Sequence, residues 1–169
     1  MDDGRLVWRF PMPESKLIDD AYWDLERSDI GTESEKDYMD DHNQLPKPWD
    51  VASCEDVNLR RDVWDWYDRV VTWFNHEYVW DPDAGMFPPC WPLHPHLVHE
   101  IGVLADQRRR ANLALNSNAL EEWHRYGAPA FLDRLKERLK QHCDDEHQAW
   151  PAKSRFATTP RHARDDPPT

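Results

Sequence analysis

The stretch LRRDVWDWYDRVVTWFNHEY, residues 59–78, decides the fold class. Leu59, Val63, Trp66, Tyr67, Val70, Val71, Phe74 and Tyr78 recur at spacings of 4, 3, 1, 3, 1, 3 and 4, which lays them on one stripe of an α-helix. The spacing predicts a helix that buries this stripe and runs to about Tyr78. Just ahead of it, Ser53-Cys54-Glu55-Asp56 reads as a helix start, a hydroxyl cap followed by acids in the first turn. Trp64 and Trp73 fall off the stripe, so they either widen it against a second layer or form an exposed aromatic contact face.

C-terminal to this helix, Trp80 to Gly85 is turn chemistry, and it delivers the chain to PPCWPLHPHLVH, residues 88–99. Pro88, Pro89, Pro92 and Pro95 each fix φ and remove a backbone donor, which makes a stiff connector whose side chains are aimed before folding. Pro95 suits the first turn of a second helix, carried by Leu97, Val98, Ile101, Leu104 and Ala105 to about Leu115. Asn116-Ser117-Asn118 breaks it. Asn118 with Glu121 then reads as the cap of a short helix that ends near Gly127, and Pro129 restarts a helix bearing Phe131, Leu132, Leu135 and Leu139. The expected class is mainly α: a small antiparallel three- to four-helix domain with an acidic, partly irregular N-terminal arm.

N-terminal to the deciding helix, Leu6 to Phe10 alternates as one short strand would, ended by Pro11 and Pro13. From Glu14 to Asp50 the chain is acidic and punctuated by Tyr22, Trp23, Tyr38 and Trp49. Residues 1–58 carry 16 acidic against 6 basic side chains, so most of the net charge of −12 over 169 residues sits at one end. With a mean hydropathy of −0.96, part of the chain must lie outside any core. The organisation expected is an arm over 1–52, a helical core over 53–150 and a flexible tail over 151–169. No apolar run approaches the roughly 20 residues of a membrane span and the N-terminus lacks a secretory pattern, so a bacterial cytoplasmic setting is expected.

Three cysteines without framework spacing fit a reduced compartment. Two of them share a pattern with histidine, Cys90-x3-His94 and Cys143-x3-His147, and two thiolates with two imidazoles are a common ligand set for one tetrahedral structural zinc. If the helix from Pro95 runs away from the connector and the last helix runs back, Cys143 returns beside Cys90 and His94. His96, His99 and His124 are substitute ligands. The competing reading is that so loose a spacing arises by chance, with both cysteines as small buried hydrophobes and the histidines solvated.

The helix at 63–78, the Pro-Pro-Cys-Trp-Pro-Leu-His block at 88–94 and Glu122-Trp123-His124 together resemble an uncharacterised Trp/Cys/His-containing domain family of actinobacterial plasmids and phages, over about residues 59–147. The resemblance implies a mobile-element origin. It supplies no activity and no catalytic residue, and the acidic arm departs from the family pattern.

No catalytic residues are assigned. His96-x2-His99-Glu100 is not the H-E-x-x-H arrangement, and no Ser or Cys lies in a glycine elbow. The expected function is that of a non-enzymatic phage or plasmid interaction protein meeting a basic protein surface through Asp19, Asp20, Trp23, Glu33, Glu35, Tyr38, Asp40, Asp41 and Trp49. Its concrete form is an acidic nucleic-acid mimic inhibiting a host defence nuclease or another DNA-binding protein. Two alternatives stand beside it. One is a nucleic-acid-binding accessory of plasmid or phage maintenance, using Arg108-Arg109-Arg110 with the last helix. The other is a metal-dependent hydrolase on Cys90, His94, His96, His99 and Glu100.

Overall fold

The computed structural model describes residues 7–30, 45–81, 85–139 and 143. Among them the regular structure is helical, with no strand. Helix α1 spans Lys16–Ile30, α2 spans Val57–Tyr78 and α3 spans Pro95–Leu113. The fourth helix, α4, is continuous from Asn118–Glu122 through a π turn at Trp123–Gly127 to Ala128–Leu139. None is long and apolar enough to cross a membrane.

Helix α2 forms as its spacing predicts and buries Leu59, Val63, Trp66, Tyr67, Val70, Val71 and Phe74. Trp73 is buried too, so the stripe widens rather than leaving an exposed indole there. The cap differs from the sequence expectation. Ser53 belongs to a 3-10 turn, Val51–Ser53, where its hydroxyl accepts from the Lys47 amide at 2.8 Å and donates to the Asp50 carbonyl at 2.7 Å. Asp56 caps α2 instead, its carboxylate accepting from the amides of Asn58 and Leu59 at 3.0 and 2.8 Å.

The expected strand at the N-terminus does not form. Of residues 7–10 only Phe10 is buried, and the segment bonds to side chains of α2. The Trp73 indole donates to the Trp8 carbonyl at 3.2 Å and the Trp66 indole to the Pro11 carbonyl at 2.8 Å. A ladder partner is unnecessary when indoles satisfy the backbone.

The arm is also more ordered than its composition suggests. Lys16–Ile30 is a helix because Ile18, Ala21, Tyr22 and Leu25 recur on one face, three of them fully buried against α2. Phe10, Ile18, Ala21, Tyr22 and Val51 belong to the same core as α2.

Helix α3 crosses this core at a point of close approach. A Cβ added at Gly102 would lie 2.3 Å from both the Trp49 carbonyl oxygen and the Tyr67 hydroxyl, so only glycine fits. The Tyr67 hydroxyl itself donates to the Pro48 carbonyl at 2.8 Å. Four residues on from Gly102, the buried Asp106 accepts from the Tyr22 hydroxyl at 2.9 Å and pairs with Arg110 at 2.9 Å.

Gly127 does not end a helix, contrary to the sequence expectation. Pro129 lacks the amide that would bond four residues back, and the preceding turn widens into a π turn instead of breaking. With no Cβ at Gly127, the Gln107 side chain and the Trp123 ring close over it.

Burial first, then the charges of neighbouring groups, pushes the hydroxyl pKa of Tyr22 and Tyr67 far above the ordinary phenol value; Asp106 is the main neighbour for Tyr22, and Cys54 and Asp50 for Tyr67. A folded pKa above the unfolded one means that the fold favours the protonated form. The contribution is therefore whole below about pH 10 and is lost as pH rises through that value towards the folded pKa. Stability should fall by about 2 kcal/mol between pH 10 and 11 from these two tyrosines, and Tyr67→Phe should halve that fall. Urea midpoints at the two pH values check this, and an unchanged midpoint would contradict it.

Candidate metal centre

Each side chain of the centre is positioned by backbone geometry. Gly85, ahead of the connector, takes φ +114°, which glycine adopts without strain. Asn75 of α2 then grips Phe87, its amide donating to the Phe87 carbonyl and its carbonyl oxygen accepting the Phe87 amide, both at 3.0 Å. The proline-rich connector follows as a 3-10 turn, Trp91–Leu93, in which the amides of Leu93 and His94 donate to the carbonyls of Cys90 and Trp91. Trp91 is buried against Trp64, ring centroids 5.6 Å apart. This turn seats Cys90 beside His94, which caps α3 ahead of Pro95 and is only 2% exposed.

The C-terminal end of α4 meets the same point. Glu100, one turn into α3, receives the Arg134 guanidinium at 2.8 Å and that of Arg138 as well. Beyond that clasp, Cys143 Sγ lies 3.2 Å from His94 Nε2, while Cys90 Sγ lies 3.5 Å from the same nitrogen. The donor atoms of Cys90, His94 and Cys143 all fall within 4.8 Å of one another. Zinc bonds of about 2.3 Å to sulfur and 2.0–2.1 Å to nitrogen put tetrahedral S and N ligands about 3.6 Å apart, so both S···N separations have the right scale. Three soft donors in this arrangement could hold a metal ion. Burial first, and then the neighbouring Cys143 sulfur, pushes the Cys90 thiol above its ordinary pKa, so an ion would bind here with proton release.

The other nominated ligands go elsewhere or lie outside the described residues. His147 is among the latter. His124 Nε2 lies 2.9 Å from the Tyr78 hydroxyl, and His99 is exposed. His96 adjoins the centre, its ring centroid 5.6 Å from that of His94, and its pKa is lowered by burial and then by Arg138, with Glu100 opposing. Glu100 is committed to two arginines, which removes it as a free base for hydrolysis. Cys54 is fully buried away from the group, its sulfur near the carbonyls of Lys47 and Asp50.

The residues nominated for partner binding divide. Asp19 and Asp20 are exposed on the outer face of α1, and Trp23 there is 60% exposed. Trp49 is only half-exposed, packs on the core and lies under Arg110, so it is no free anchor. Glu33, Glu35, Tyr38, Asp40 and Asp41 lie outside the described residues. The arginine triplet proposed for nucleic acid turns to the protein's own rings: Arg108 lies over Phe10, Trp73 and Trp123, and Arg109 sits 3.4 Å over Tyr22.

Reading the sequence by residue type missed the Glu100 clasp, because its partners lie 34 and 38 residues away and look like ordinary surface charge. Glu100→Ala should cost about 1–2 kcal/mol in urea unfolding, since it removes two charge-assisted bonds that are only partly exposed. A cost under about 0.3 kcal/mol would show that the end of α4 is held by other means. Compared with known proteins, the chain matches no protein-family model, no curated protein sequence and no solved structure.

Proposed function

We propose that this chain is a non-enzymatic interaction protein of a phage or plasmid, working in the bacterial cytoplasm. In this reading one structural zinc staples a helical core, and the acidic outer face of α1 meets a basic protein surface. The observation that carries it is the two-sidedness of α1. Its inner face is fixed by Ile18, Ala21 and Tyr22, so the outer face is a rigid display. That display centres on the exposed Trp23, with the exposed carboxylates Asp19, Asp20, Asp24 and Glu26 around it. Lys16, paired to Asp20 at 2.6 Å, and the exposed Arg27 share this face, on which the acidic side chains remain in excess. An exposed indole in such a setting suits an aromatic anchor entering a basic surface.

The concrete form is a nucleic-acid mimic: fixed carboxylates occupy the phosphate-binding site of a nuclease or another DNA-binding protein. A net charge of −12 supports it. The stacking of Arg108 and Arg109 on internal rings favours this reading over direct DNA binding. The mobile-element setting rests on the resemblance of residues 59–147 alone. Zinc is the metal of choice because two thiols and an imidazole are soft to borderline donors and a structural site needs no open position.

Removing residues 1–52 would strip the core, so surface substitutions are the clean test. The full chain, immobilised in a nuclease-treated bacterial lysate at moderate salt, should capture a basic protein that duplex DNA releases. A variant combining Asp19→Lys, Asp20→Lys, Trp23→Ala and Asp24→Lys touches only exposed positions and should lose at least about tenfold in capture, or about 1.4 kcal/mol. Equal capture by the variant would contradict the role of α1, and capture that DNA does not release would contradict mimicry.

A further inference from the structure

Three donors leave a tetrahedral ion one ligand short, and we infer that His96 completes the set. The inference rests on reading Cys90, His94 and Cys143 as metal ligands. His96 lies in the first turn of α3, two residues beyond His94, with its ring centroid 5.6 Å from the His94 ring at an interplanar angle of 73°. Two imidazoles bound through one nitrogen each to a tetrahedral zinc have ring centres about 5 Å apart, given Zn–N bonds of about 2.0–2.1 Å. The observed separation has that scale.

The second observation is a polar atom without a use. Nε2 of His96 is buried and has no hydrogen-bond partner. A buried nitrogen left in that state is destabilising, and such groups call for a bound water or ion. Of the described histidines outside the three-donor group, His99 is exposed and His124 meets the Tyr78 hydroxyl. His96 is not one of the three residues whose donors already fall within 4.8 Å, so joining them takes a rotation of its ring about χ1 and χ2.

The assignment changes how the site works. Cys90, His94 and His96 all lie on the connector and the first turn of α3, so three ligands are local in the chain, and the prolines fix the backbone that carries them. Cys143 alone crosses from the end of α4. The ion then loads on the local triad, and Cys143 closes the staple. His147, which shares the spacing of Cys143, has no ligand role in this scheme.

Cobalt(II) titration of the reduced, metal-free full chain tests it, because ligand-field bands report four-coordinate geometry and charge-transfer absorption reports the number of thiolates. His96→Ala should weaken cobalt binding by at least about tenfold and reduce the tetrahedral bands, whereas His147→Ala should leave both unchanged. His96→Cys guards against a folding defect: it should retain tetrahedral bands and raise thiolate charge transfer by about half, three sulfurs replacing two. His147→Ala weakening binding as much as or more than His96→Ala would overturn the assignment, as would His96→Cys with unchanged charge transfer. No cobalt bound by the unsubstituted chain would overturn the metal reading itself, and this assignment with it.

Discussion

The structure depends on the need of large aromatic side chains for partners at their polar edges. Helix α2 buries two indoles and a phenol that each carry one donor. Irregular backbone supplies the acceptors. Trp66 bonds to the Pro11 carbonyl, Trp73 to the Trp8 carbonyl and Tyr67 to the Pro48 carbonyl, so each donor pins one length of connecting chain. A proline-rich connector suits this arrangement, because proline leaves a carbonyl to accept while adding no amide that would itself need a partner. The same bonds explain how a chain with many charges closes a core that includes Phe10, Ile18, Ala21 and Tyr22 from its acidic end.

Those pinned segments bring α3 into place. Trp49 and Tyr67 meet Gly102 so closely that no side chain fits, and Asp106, one turn later, ties α1 to α3 through Tyr22. Arg108 then covers the Trp73 ring of α2 and Arg109 the Tyr22 ring of α1. Their apolar stems and ring-facing guanidiniums do the work of a hydrophobic layer while keeping charge near water. With α3 fixed along its length, its first turn is a firm base for His94, and Glu100 draws the end of α4 and Cys143 to that base.

Much of this was legible in the sequence where periodicity was strong. The extent of α2, the start of α3 at Pro95 and the meeting of Cys90, His94 and Cys143 follow from spacing. The errors have physical causes. Ile18, Ala21, Tyr22 and Leu25 carry a helical stripe, but five acidic neighbours in the same helix obscure it. Ser53 looks like a cap until its hydroxyl is claimed by the turn at Lys47 to Asp50. Gly127 looks like a stop because a π turn has no local signature of its own. The Glu100 clasp was out of reach, since no short-range pattern marks which surface arginine will face which carboxylate.

The central claim is that one zinc ion joins the start of α3 to Cys143. X-ray absorption at the zinc edge, on protein purified without a histidine tag and loaded with one equivalent of zinc, tests it most directly. The account predicts two sulfurs at about 2.3 Å and two nitrogens at about 2.0–2.1 Å. An ion surrounded by oxygen and nitrogen alone, or fewer than about 0.2 zinc retained per chain after dialysis, would contradict it.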